Sequence, residues 1–145
     1  MLQIKYKVLA HAKDLPRPEY QTNGSSGLDL YAANIDSIEI KSLQRLSIST
    51  GIIFSIPKGL EGQIRPRSGL FIKHGLTCIL GTIDSDYRGE IKILLVNLSN
   101  DTFIIDRGMR IAQIVFCNVI KAKLIKTEIL DNTIRGDKGF GSTGL

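Results

Sequence analysis

Apolar and polar residues alternate with a period of two, or gather in short apolar runs, along most of the chain. Such segments span Leu2 to Val8, Ile35 to Ile40, Leu46 to Ile56, Gln63 to Arg65, Leu76 to Leu80, Ile91 to Asn97, Phe103 to Ile105, Ile111 to Val119 and Leu124 to Leu130. Successive side chains of an extended strand leave on opposite faces, so this period buries one face and wets the other. Turn-forming residues separate the segments: Asn23-Gly24, Thr50-Gly51, Pro57-Lys58-Gly59, Ser99-Asn100-Asp101 and Arg107-Gly108. Many short β-branched segments at nearly regular spacing predict an all-β sandwich or barrel. One short helix is expected at Ser68 to Lys73, capped by Ser68, because Pro66 holds Arg65 out of the α region.

A length of 145 residues, 43% of them hydrophobic, fits one domain with a proper core. No stretch reaches the ~20 uninterrupted apolar residues of a membrane helix. Met1 to Leu9 alternates, which reads as a first strand and not a secretory signal, so a cytoplasmic protein without a membrane partner is expected. Cys78 and Cys117 form no Cys-x-x-Cys pair, and with only His11 and His74 beside them they suggest neither zinc nor a disulfide framework. Both read as small core residues. The net charge of +5 suits an anionic partner or a mildly basic solvated surface equally well.

Five stretches carry candidate chemistry. In "GLDLYAA", Gly27 to Ala33, Asp29 lies between leucines and reads as a buried acid holding backbone or an arginine. "RPRSGL", Arg65 to Leu70, sets the planar fork of Arg67 beside the amides of Ser68 and Gly69, a combination suited to phosphate, although a capped helix with a surface arginine explains it too. "GTIDSDYRGE", Gly81 to Glu90, opens the apolar strand Ile91 to Asn97 with four charges and a ring. With Ile83 facing the core, Asp84 would point into whatever cavity the strand borders; a hairpin turn with solvated acids is the alternative. "GMRIAQIVF", Gly108 to Phe116, puts Arg110 and Gln113 into an apolar strand as buried donors. The tail "RGDKGFGSTGL", Arg135 to Leu145, matches Gly-x-Gly-x-x-Gly without the helix that motif needs, and lacks the phosphate-loop lysine. It is a glycine-rich stretch balanced between disorder and anion binding, with Arg135, Lys138, Ser142 and Thr143 as donors.

In this order along residues 27 to 144, the five stretches closely resemble the five motifs of the trimeric dUTPases. The resemblance implies a jelly-roll-like β-barrel over residues 1–134, assembled as a homotrimer with sites at subunit contacts. Residues 135–145 would form a flexible arm closing over a neighbouring site. It implies Mg2+-dependent hydrolysis of dUTP to dUMP and pyrophosphate, with Asp84 as the base that activates water for in-line attack on the α-phosphorus. Arg67, Ser68, Gly69 and Gln113 would bind phosphates. The hairpin from Gly81, Thr82 and Ile83 round to Lys92 would read uracil, and Tyr87 would pack on the deoxyribose. From the arm, Arg135 would reach the outer phosphate, Phe140 would stack on uracil, and Gly141 and Ser142 would add donors. Magnesium would arrive on the triphosphate with no direct protein ligand, Asp29 touching it at most through water. The chain departs from the family pattern at Lys138, where a glycine is usual, at the short Cys78-Ile79-Leu80 hairpin, which lacks a common asparagine, and at Met109, where an acid is common.

Alternatives are a dCTP deaminase or bifunctional relative on the same fold, and a non-catalytic module that binds dUTP as a signal. A nucleic-acid-binding barrel ranks last, since the aromatics are scattered and form no stacking row; no nucleic-acid partner is expected.

Overall fold

A computed structural model describes residues 2–139. Eleven strands are found there: β1 (Lys5–Val8), β2 (Leu28–Tyr31), β3 (Ile38–Ile40), β4 (Arg45–Ser49), β5 (Ile52–Ser55), β6 (Leu60–Arg65), β7 (Leu76–Cys78), β8 (Gly81–Ile83), β9 (Lys92–Asn97), β10 (Phe103–Ile105) and β11 (Arg110–Asn118). They pair antiparallel in four small sheets, ordered β1-β5, β10-β3, β2-β11-β6-β8 and β4-β9-β7. The sheets enclose one core dominated by isoleucine and leucine, with Leu30, Ile40, Leu76, Ile91, Ile93, Leu95, Ile105, Ile111 and Ile114 fully buried. Burying each such side chain is worth about 1.5–3 kcal/mol, and within the regular strands period-two alternation places them on the inner face.

The expected Leu46–Ile56 segment is two strands that do not pair with each other. β4 pairs with β9 and β5 with β1, so Thr50-Gly51 is a corner where the chain changes sheets. Gly51 takes φ +68 there, and a Cβ on it would overlap Ala12. Ala12 belongs to a 3-10 turn, Ala10–Ala12, absent from the sequence expectation.

The single α-helix, α1 (Ser68–His74), lies where expected, but its N-cap is Arg67 and no side chain caps it. Ser68 is already inside the first turn, because the Arg67 carbonyl accepts from the Leu70 and Phe71 amides at 3.1 and 3.3 Å. Gly75 ends the helix in the left-handed region, where a Cβ would meet Ser99.

Two further expectations fail. Leu124 to Leu130 forms no strand. Packing ends at Val119, and Ile120, Leu124, Ile125, Ile129, Leu130 and Ile134 are each at least 78% exposed. Within one chain no free edge meets this segment, so its alternation has nothing to bury against. Cys78 is buried, but Cys117 is only half-buried, being on the outer face of β11. No helix among the described residues is long and apolar enough to cross a membrane.

Candidate active site

The four-stranded sheet organises the polar residues. On β6, Gly62 and Ile64 face the core while Glu61, Gln63 and Arg65 face outward, linked in sequence by Gln63 Nε2 to Glu61 Oε1 at 2.6 Å and Arg65 Nη2 to Gln63 Oε1 at 2.6 Å. On β11, Arg110 and Gln113 are three residues apart, which in a regular strand puts them on opposite faces. The register shifts between them: Arg110 pairs with Tyr31 and Ala112 with Leu30. Ile111 is the extra residue of a bulge, so Ile111 and Ala112 both turn inward and Arg110 and Gln113 share the outer face.

That bulge aims Arg110 at Asp29. One Asp29 oxygen lies 3.1 Å from Arg67 Nε and the other 3.2 Å from Arg110 Nη1, while Arg67 Nη1 donates to the Arg110 carbonyl at 3.0 Å. Asp29 is 7% exposed, so its charge is compensated by two cations and not by water. It is the buried acid expected from its leucine neighbours. Arg110 is exposed and not buried as its strand suggested, and Gln113 is half-buried. The Gln113 amide donates to the Pro66 carbonyl at 3.0 Å and lies against Gly27, where any Cβ would overlap it. Arg67, Ser68, Gly69, Arg110, Gln113 and Asp29 therefore gather at one end of the sheet.

Asp84 is at the other end. β8 runs antiparallel to β6, with Ile64 opposite Gly81 and Gly62 opposite Ile83. Ile83 packs on the core, and exposed Asp84 follows beside Glu61, lining a cavity of about 360 Å³ with Lys58, Asp86 and Lys121. At ~3.3 Å per residue, the stretch from Glu61 to Arg67 separates the two groups by about 15–20 Å. One chain does not bring Asp84 and Arg67 together. Among the described residues neither Asp84 oxygen has a hydrogen-bond or ion-pair partner.

From Asp84 the chain turns, the Tyr87 amide donating to the Asp84 carbonyl at 3.1 Å and Arg88 donating to the Ser85 and Tyr87 carbonyls. The Tyr87 ring lies across Gly89, where a Cβ would strike its hydroxyl, and that hydroxyl donates to the Glu90 carbonyl at 3.1 Å. The hairpin expected to read uracil is open: β8 pairs with β6, whereas Lys92 starts β9, opposite Ser49 in another sheet. β8 is an edge strand, so Gly81, Thr82 and Ile83 keep unpaired backbone groups on one side. A cavity of about 380 Å³ between Gln63, Arg65, Leu80, Gly81 and Thr82 borders it.

Arg135 is exposed beside a turn in which its Nε donates to the Lys138 carbonyl at 3.0 Å and Gly136 takes φ +57. Phe140, Gly141 and Ser142 lie outside the described residues. Glu90 and His11, to which the sequence assigned no role, are in hydrogen-bond contact, Glu90 Oε1 lying 3.1 Å from His11 Nε2, beside Tyr87. The one available signal was the acid closing the Gly81–Glu90 stretch.

A family model described as dUTPase matches residues 13–144. The chain is 54% identical over 140 residues to the deoxyuridine 5'-triphosphate nucleotidohydrolase of Brucella melitensis biotype 2 (strain ATCC 23457), covering 94% of this chain and 89% of that one. It is 51% identical over 147 residues to the protein of the same name from Wolbachia pipientis subsp. Culex pipiens (strain wPip), covering 99% and 96%. A point mutant of the Staphylococcus bacteriophage 80alpha dUTPase with dUpNHpp superposes with a TM-score of 0.90 over all of both chains, at 25% identity. The four sheets are thus the expected jelly-roll-like β-barrel, and the chain belongs to the dUTPase family.

Proposed function

We propose that the protein is a dUTP diphosphatase that hydrolyses dUTP to dUMP and pyrophosphate at sites shared between copies in a homotrimer, lowering dUTP and supplying dUMP for dTMP synthesis. The observation that carries this reading is the separation of Asp84 from Arg67 and Gln113 on a chain of this family. A carboxylate at one end of β8 and anion-binding donors at the far end complete a site when one copy sets its Asp84 end against another's Arg67 end. The exposed apolar residues between Ile120 and Ile134 support the same assembly, since six such side chains in water are a surface awaiting a partner.

In this reading Asp84, both of whose oxygens are free of partners among the described residues, takes a proton from a water as the water oxygen bonds to the α-phosphorus. The bond from that phosphorus to the bridging oxygen breaks, and pyrophosphate leaves. A positioned base contributes about 10²–10⁴-fold. Arg67, with Ser68, Gly69 and Gln113, holds the phosphates. The open edge of Gly81, Thr82 and Ile83 reads the uracil edge, with Lys92 at the far side of the hairpin, and Tyr87 packs on the deoxyribose and leaves no room for a 2′-hydroxyl. Residues 135–145 act as the arm, Arg135 reaching the outer phosphate and Phe140, Gly141 and Ser142 covering the base and phosphates.

Among the described residues no three His, Cys, Asp or Glu side chains converge as a metal cage, and both Asp29 oxygens are taken by arginines. This donor set fits magnesium held by triphosphate oxygens and water, with Asp29 no closer than a second sphere. Such an ion would offset the charge of the phosphates that Arg67, Ser68, Gly69 and Gln113 hold.

Chromatography of products after incubation with magnesium and, separately, dUTP, UTP, dCTP or dTTP tests the proposal. Conversion of dUTP alone to dUMP and pyrophosphate is expected. Ammonia release from dCTP would make the protein a deaminase, and binding of dUTP without turnover would make it a sensor.

A further inference from the structure

Glu90 is held at more points than any other residue of the Gly81–Glu90 stretch. Its Oε1 accepts from the Gly51 amide at 2.8 Å and meets His11 Nε2 at 3.1 Å, with Ser49 Oγ at 3.5 Å from Oε2. Its side chain is 16% exposed, so these contacts replace most of its water. His11 is itself fixed from behind: Arg107 Nη2 donates to the His11 carbonyl at 2.6 Å and to Asp14 Oδ1 at 2.6 Å. The corner that Glu90 clamps is stitched to the core side as well, Thr50 Oγ1 donating to the Ile91 carbonyl at 2.7 Å and the Ile91 amide to the Ile52 carbonyl at 2.8 Å.

Two residues, Arg88 and Gly89, separate this anchor from Tyr87, and one bond spans them: the Tyr87 hydroxyl donates to the Glu90 carbonyl. The ring thus rests on Gly89 and is tied at its tip to a peptide whose own side chain is pinned to a different sheet. Elsewhere the Asp84–Gly89 turn is largely exposed, with Ser85 and Gly89 half-buried, and among the described residues its other bonds lie within itself. The orientation of the ring is therefore set from Glu90.

We propose that Glu90, braced by His11, is a positioning residue that holds the Tyr87 ring at the sugar and so sets the discrimination between deoxyribose and ribose. This rests on the sugar-packing role given to Tyr87 above. Discrimination by one hydroxyl depends on sub-ångström exclusion, and a displacement of about 1 Å in such a group costs on the order of 10²-fold.

The test is the ratio of kcat/KM for dUTP to that for UTP in Tyr87→Ala, Glu90→Ala, Glu90→Gln, His11→Ala and the Tyr87→Ala/Glu90→Ala double variant, with melting temperatures alongside. Glu90→Ala should lower the ratio about tenfold, and His11→Ala less, by roughly two- to fivefold. Glu90→Gln should retain most of it, since an amide oxygen still accepts from Gly51. In the Tyr87→Ala background, Glu90→Ala should change the ratio no further, because both act through one ring. A lowered melting temperature with an unchanged ratio in Glu90→Ala, while Tyr87→Ala loses selectivity, overturns the positioning role and leaves the sugar-packing reading standing. An unchanged ratio in Tyr87→Ala overturns both. Should Glu90→Ala not fold, His11→Ala decides: a ratio equal to wild type rejects the brace.

Discussion

The two ends of the β6–β8 ladder are built on opposite plans. At the Arg67 end a buried carboxylate fastens two guanidinium groups, a bulge turns one of them to face it, and an amide wedged between Gly27 and Pro66 closes the cluster. At the Asp84 end the acid is exposed and, among the described residues, without a side-chain partner, and the turn behind it is tied mainly to itself. The difference follows from what each end would handle. Cations that meet a polyanion gain most when their geometry is set beforehand, because no ordering is left to be done on binding. A base that must take a proton from water needs free lone pairs, and a buried ion pair would remove them.

The contrast is broken most severely at Asp84. Asp84→Asn should lower kcat by about 10²–10⁴-fold while a non-hydrolysable dUTP analogue still binds, as measured by single-turnover assay and calorimetry. Near-normal turnover would exclude it as the base. The sharper form mixes two inactive proteins. If the ends act across copies, co-refolded Asp84→Asn and Arg67→Ala chains should recover about a quarter of wild-type activity by random assortment. No recovery would mean that both residues act from one chain.

Removing residues 135–145 should cost on the order of 10²-fold in hydrolysis and leave the sedimentation behaviour of the assembly unchanged. Dissociation to monomers would make the arm an assembly element. A smaller loss is expected at the preorganised end. Asp29→Asn leaves Arg67 and Arg110 without their shared counter-charge, so KM should rise about tenfold and stability fall by about 1–3 kcal/mol. Both arginines are partly exposed, and water screening limits the loss. Chemical denaturation beside steady-state kinetics measures both, and an unchanged KM would reduce Asp29 to a packing residue.

The smallest effect concerns the cysteines. Burial pushes the Cys78 thiol up to about 11, whereas Cys117 is half-buried beside Arg65. At pH 8 the Cys78 thiolate is on the order of 0.1%, so iodoacetamide should label Cys117 first and Cys78 only on unfolding, as peptide mass spectrometry would read. A thiol that ionises near 8.5 when unfolded but only near 11 when folded favours the native state below the first value. That contribution is lost as pH rises through the second, so stability should decline across this alkaline window and less so in Cys78→Ala.

What the sequence determined by itself was the inventory of the barrel and the chemistry of its motifs. Period-two alternation marked most of the strands, since one-sided burial leaves that pattern whatever the sheet order. An acid between leucines announced a buried group held to backbone or an arginine, since a lone charge there would be prohibitively costly. Pairing was not legible. Thr50-Gly51 reads as any tight turn and becomes a corner because β4 and β5 find partners in other sheets. Leu124 to Leu130 alternates as a strand does, yet lies open, because a strand needs an edge to join. The bulge at Ile111 changes which face Arg110 meets, and no local propensity records it. Likewise Glu90 gained its partners from residues 39 and 79 positions away, a proximity that only the closed fold creates.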